Sequence, residues 1–384
     1  MYTLFDYIKF YNARKIKDLK WNDADNLICS LLCYLPVESF KGSMTLNELY
    51  EYIPKHKEKS TRILVHDMAL KLLKEIYTTE RYKNIVVSNF VNERNNDVQF
   101  GAATFRMNNK TVIAFKGTDN SIIGWVENIR LFYTYPTLTQ KRALEYLKTS
   151  VRKLGDNELY LVGHSKGGNM AMSSALDAPE YIFKKIQRVV NFDGPGFRYE
   201  QFDSKKYQKL KKKLVNYIPS GSIVGTLLEN NNYSVVKSNA LAWNQHYPET
   251  WEMYGEYFVN SKLSQLSSEL HERTTINVRH LNKKKIHDSF ETLIAQISKE
   301  HKEDLKLTAN LHFKEFKNIM CLKAPANEVK VALRFKIVEF NFYLPPEALD
   351  YSCFPMLLKV LKVNVPQTNG FLDNSEYTYE DDLM

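Results

Sequence analysis

Cysteine is scarce in this chain: Cys29, Cys33, Cys321 and Cys353 are the only four in 384 residues. That excludes a disulfide scaffold. With no second pair or nearby histidine, Cys29 and Cys33 do not make a zinc site either, so buried free thiols are expected. Long hydrophobic runs are also missing. No stretch of 18 apolar residues occurs, which argues against a spanning helix. Residues 1–21 carry Asp6, Lys9, Arg14, Lys15, Lys17 and Asp18, which leaves no room for the apolar core of a signal peptide, and a cytoplasmic protein is expected. The phosphate-cradling pattern G-x-x-x-x-G-K-[ST] is absent, and no Rossmann glycine pattern follows a strand, so nucleotide binding finds no support. Internal repeats, low-complexity tracts and a clean Pro/Gly/Ser linker are lacking as well.

What is present has the balance of a soluble globular protein: 44% hydrophobic and 25% charged residues exclude disorder over most of the length. The net charge is +9, with a basic cluster at Lys205, Lys206, Lys209, Lys211, Lys212 and Lys213. No nucleic-acid-binding signature accompanies it. The cluster is read as a solvated face, with weak association to an anionic membrane surface as the alternative.

Apolar spacing predicts helices over 22–35 and 61–77. From Asn84 the period changes, and strands are expected at Ile85–Val91, Val98–Phe105 and Thr111–Phe115, the last two joined by a turn at Met107–Lys110 where Asn108 and Asn109 tolerate positive φ. Helices at 121–131 and 138–154 follow, the second closed by Gly155 as a C-cap. Strand 158–163, helix 166–178, strand 186–192, a turn at Asp193–Gly196, strand 213–218 and a short strand at Tyr233–Lys237 alternate as βαβ units do. The expected fold is α/β: a doubly wound, mostly parallel sheet flanked by helices over residues 1–264. Residues 265–384 read as an α+β appendage, charged and helical, then strand-like at Lys330–Phe342, with an acidic tail from Gly370 whose last dozen residues are expected to be mobile.

The chemistry-bearing segment is Gly163-His164-Ser165-Lys166-Gly167, a G-x-S-x-G corner between an apolar strand and a helix. It puts one serine on a strained turn beside the first helical N–H groups, where a nucleophile would stand. Serine needs a base, and histidine suits that task near neutral pH. Of the six histidines after Ser165, only His246 lies in a loop directly following a predicted sheet strand; His271, His280, His287, His301 and His312 fall in the appendage. The loop Pro219–Gly225 after strand 213–218 contains no carboxylate. Asp193, one strand earlier at the C-terminal edge of the sheet, is the chosen acid, with Glu229 next in line and no acid at all as the remaining alternative. The backbone N–H of Lys166 supplies one oxyanion donor, and Thr118, in the turn after Val112–Phe115, supplies a second.

These residues together resemble the class 3 lipases of the α/β-hydrolase superfamily, and more closely a bacterial lipase-like family, the Mbeg-like proteins. The resemblance covers about residues 4–260. It rests on Trp21–Asn26, Phe115–Asp119 with Trp125 and Asn128, Gly163–Gly168, Asp193–Phe197, Ser222–Gly225, Val235–Ser238 and Gln245-His246. It implies Ser165 as nucleophile, His246 as base, hydrolysis of a carboxylic ester or lipid, and neither metal nor organic cofactor. Two positions depart from class 3 lipases: Lys166 replaces an apolar residue, putting a charge near the acyl pocket, and Ser222 stands at the place of their catalytic aspartate. A binding module that keeps the corner without a competent acid is therefore the competing expectation. Ile223, Val224, Leu227, Leu228 and Trp125 are candidates for either an acyl pocket or core.

Overall fold

The structure, a computed structural model, describes residues 2–280 except 16–18, 57–63, 96, 120, 153–154, 156 and 231, and beyond them 287, 291, 329–335, 338–344 and 363–364. Two compact units divide the chain, Met1–Arg279 and His280–Met384. The first begins with helices α1 (Leu4–Tyr11) and α2 (Asp23–Leu32), strand β1 (Phe40–Thr45), and helices α3 (Leu46–Tyr52) and α4 (Leu64–Ile76). Strands β2 (Val86–Arg94), β3 (Gln99–Met107) and β4 (Lys110–Phe115) then form an antiparallel meander with β1. Asn108 turns the β3–β4 hairpin at φ 49°.

From β4 onward the ladder is parallel. Helices α5 (Ile122–Arg130) and α6 (Leu138–Val151) lead to β5 (Glu158–His164), α7 (Lys166–Leu176) and α8 (Glu180–Lys185) to β6 (Ile186–Phe192), α9 (Tyr199–Phe202) and α10 (Lys205–Leu210) to β7 (Leu214–Pro219), and a loop to β8 (Tyr233–Val236). The eight strands lie in chain order, β1 to β8. Parallel strands that advance in one direction through right-handed crossovers must carry their connecting helices on one face. That face holds Ala143 and Leu147 of α6, Met170, Ala171 and Ala175 of α7, and Leu210 of α10, packed on Ile113, Phe115 and Leu161. The opposite face, with Val112, Ala114, Val162 and Val190, is covered by α1, α2 and α4. Alternate residues of β4 thus feed two separate cores, as a period of two requires. This is an α/β-hydrolase-like fold.

Capping explains where several helices start. Asn22 Oδ1 accepts from Asp25 N at 3.4 Å while Asp25 Oδ2 accepts from Asn22 N at 2.9 Å, a reciprocal pair that fixes the first turn of α2. Asp25 is fully buried and also takes Arg81 Nε (2.9 Å) and Tyr82 Oη (2.7 Å), which ties α2 to the turn after α4. The expected C-cap differs: α6 stops at Val151 with Arg152 as its right-handed cap, and Gly155, at φ +60°, lies beyond it.

Strands β9 (Met253–Tyr254) and β10 (Tyr257–Phe258) make a small hairpin, and α11 (Gln265–His280) follows. Within the first unit, α11 is bonded to loop 226–229: His271 Nδ1 meets Thr226 O at 2.8 Å, Thr275 Oγ1 donates to Leu228 O at 3.2 Å, and Arg279 pairs with Glu229. In the second unit the described residues form antiparallel strands β11 (Val329–Phe335), β12 (Val338–Leu344) and β13 (Val363–Asn364), with β11 central. Cys321, Cys353, His301, His312 and the acidic tail from Gly370 lie outside the described residues. Cys29 and Cys33 are buried free thiols. No helix among the described residues is long and apolar enough to cross a membrane.

Candidate active site

Ser165 links β5 to α7 with φ 59° and ψ −136°, a conformation a non-glycine residue holds only when its surroundings enforce it. Two backbone bonds enforce it here: Ser165 N donates to Phe192 O (2.9 Å), and Gly168 N donates to Ser165 O (2.8 Å). The flanking glycines are required by space. A Cβ on Gly163 would lie 2.2 Å from the Gly167 carbonyl carbon, one on Gly167 would lie 2.1 Å from Phe115 O, and one on Gly168 would lie 1.8 Å from Asn191 Oδ1. The Ser165 side chain makes no capping bond to its helix and is half-buried.

Asp193 follows β6 as Ser165 follows β5, and it too has positive φ, 50°. Its side chain is fully buried, and each carboxylate oxygen has a partner. Oδ2 lies 2.6 Å from His246 Nδ1; Oδ1 accepts from Ser222 Oγ (2.5 Å) and Gly225 N (3.1 Å). Ser222, the residue that replaces an aspartate in the resemblance, therefore holds the aspartate that stands one strand earlier. Glu229, the alternative acid, is instead paired with Arg279 at 2.5 and 2.8 Å.

His246 ends a 3₁₀ turn, Ala242–His246, that is docked on the loop after β7. Gln245 Oε1 accepts from Ser220 Oγ (3.0 Å) and Gly221 N (2.8 Å), while Trp251 Nε1 donates to Gln245 O (2.8 Å). The His246 ring lies 4.6 Å, centroid to centroid, from the ring of His164, the residue before the serine. A carboxylate on Nδ1 fixes the proton there and leaves Nε2 as the basic nitrogen.

The loop after β4 passes close to the serine, since a Cβ on Gly117 would lie 3.0 Å from Ser165 Cβ. Thr118 is half-buried beside it, and Asn128 Nδ2 of α5 donates to its Oγ1 at 2.9 Å. Lys166 presents the first N–H of α7, which has no acceptor within the helix. Its side chain is buried, with Nζ 2.7 Å from Gln99 Oε1, and burial lowers the ammonium from its ordinary 10.5 to about 8. The ammonium is thus bound inside, against β3. Gln99 Nε2 in turn donates to Gly117 O (3.2 Å), joining the elbow to the Thr118 loop.

Ile223, Val224 and Leu227 are half-buried and Leu228 is buried; the side chain of Trp125 lies outside the described residues. Among the described residues no cluster of three His, Cys, Asp or Glu side chains could hold a metal ion. Tyr34, His164, Gln99 and the Ser222 bond escape a reading of the sequence. Only the two hydroxyls in the carboxylate-free loop, Ser220 and Ser222, hint at the last.

No curated protein matches the chain. Solved structures similar to it include the Rhizomucor miehei lipase propeptide complex (15% identity, TM-score 0.32, covering 39% of this chain and 56% of that one). M37 lipase is similar at 17% identity and TM-score 0.34, covering 52% of this chain and 67% of that one. A mutant form of MDLA from Penicillium cyclopium is similar at 13% identity and TM-score 0.35, covering 62% of this chain and 87% of that one. The chain spans little more than half the length of the Rhizomucor protein. The Mbeg1-like family model matches residues 76–299, more than half of the sequence. The chain belongs to the Mbeg1-like family.

Proposed function

We infer that this protein is a serine hydrolase that cleaves a carboxylic ester, a small ester or a lipid, through an acyl-enzyme on Ser165. The observation that carries this reading is the 2.6 Å contact of buried Asp193 with His246 Nδ1, beside a serine held at positive φ. As Ser165 Oγ attacks the ester carbon, its proton passes to His246 Nε2 and the carbonyl π pair moves to oxygen. The N–H of Lys166 and Thr118 stabilise that oxyanion, and Asp193 stabilises the imidazolium. Collapse expels the alkoxide, which takes the proton from Nε2. Water then repeats the sequence, releasing the carboxylic acid and free Ser165.

The test is labelling with a fluorophosphonate followed by turnover of an ester series of increasing acyl length. Wild type should label and turn over, Ser165→Ala should do neither, and Asp193→Asn should lose on the order of 10⁴ in kcat. Well-folded wild type that labels no better than Ser165→Ala would overturn the reading in favour of a binding module.

A further inference from the structure

Behind the serine, on the face covered by α2, lies a chain of hydrogen bonds that the mechanism above does not use. Gly117 N donates to Tyr34 Oη at 2.9 Å; Tyr34 Oη lies 3.1 Å from His164 Nδ1; His164 Nε2 lies 2.8 Å from the backbone oxygen of His246. Its direction follows from its ends. A carbonyl can only accept, so His164 Nε2 carries the proton. Burial pushes the His164 imidazole well below its ordinary range, so the ring is neutral and Nδ1 is a bare acceptor. The Tyr34 hydroxyl then points its one proton at His164, shared between Nδ1 and the His164 carbonyl oxygen at 3.2 Å, while its oxygen accepts from Gly117. Tyr34 and His164 are both nearly fully buried, where a broken link would leave a polar atom stranded.

We propose that Tyr34 and His164 are positioning residues, which hold the oxyanion loop at Gly117 and the backbone of His246 at a fixed separation on either side of Ser165. The proposal rests on the catalytic reading of Ser165 and His246. Gly117 suits this role, because a Cβ there would lie 2.1 Å from Tyr34 Oη. Tyr34 follows the C-terminus of α2, well before the residues matched by the family model, so the N-terminal helices act as part of the site and not only as cover.

The test uses the full-length protein. Tyr34→Phe and His164→Leu should slow fluorophosphonate labelling of Ser165 on the order of 10²-fold, the effect of a misplacement near 1 Å. His164→Gln, whose amide can still donate to the His246 carbonyl, should recover most of that loss. Folded variants that label at the wild-type rate, or a Gln variant no better than Leu, would overturn the proposal. Should a variant fail to fold, nitrogen-15 NMR of histidine-labelled native protein decides: His164 is expected neutral with its proton on Nε2, and a proton on Nδ1 would overturn the chain. A wild type that does not label refutes the catalytic reading, while the NMR result still judges the hydrogen-bond chain on its own.

Discussion

Lys166 combines the first backbone N–H of α7 at the elbow with a buried ammonium bound to Gln99. Because burial lowers its pKa to about 8 while the unfolded chain keeps about 10.5, the unfolded state binds more protons between those values. Stability contributed by this residue therefore rises as pH rises through that window and is flat below it. The difference in unfolding free energy between wild type and Lys166→Met should move toward wild type by at most about 3 kcal/mol between pH 7 and 10.5. Urea unfolding at several pH values measures it; a difference independent of pH would show that the ammonium is not buried. At this scale, Ser165, Asp193 and His246 are legible in the sequence because each stands in a glycine-rich turn or a loop after a strand. The bond from Ser222 and the contacts of Tyr34 and His164 are not. They depend on which loops the strand order brings together, and no local pattern records that.

Among the elements, the β5–α7 corner depends on contact between backbones. Gly168 lies against Asn191, whose side chain accepts from Gly194 N (2.9 Å) and donates to Gly194 O (3.0 Å), fixing the turn after Asp193. Gly168→Ala would push the amide away and release that turn, at a cost of about 1–3 kcal/mol and with slower labelling of Ser165. Gly42→Ala, with nothing within 4 Å of the added Cβ, is the matched control. Equal urea midpoints and labelling rates in the two variants would refute the argument. The core strands β3 to β6 are legible as short apolar runs, and α6 because its buried positions, such as Ala143, Tyr146, Leu147 and Val151, recur at helical spacing, whereas α2 and α7 are buried on nearly every side. Strand β1 is not legible, since the middle of Phe40–Thr45 is exposed and its sequence shows no apolar alternation. Helices α8 to α10 are too short for a 3.6 period to register.

For the whole molecule, the chain boundary between the two units falls at the end of α11. The bonds of α11 to loop 226–229 support the segment whose earlier residues, Ser222 and Gly225, hold Asp193, and Leu228 in that loop has φ 63°. A chain ending at residue 280 should fold and label like the full-length protein. One ending at residue 264 strands buried Glu229 and should lose on the order of 1–3 kcal/mol, with slower labelling. Equal melting temperatures and labelling rates for the two would remove α11 from the account.

The register of the central ladder has a consequence of its own. His164 is aligned with Phe192, so Ser165 and Asp193 leave neighbouring strands at the same level. A slip of one residue between β5 and β6 would bring Gly194 or Phe192 opposite the serine and send the carboxylate to the other side of the sheet. The closeness of Ser165 to Asp193 is thus a property of strand alignment, stored in the backbone pairing before any loop closes over it.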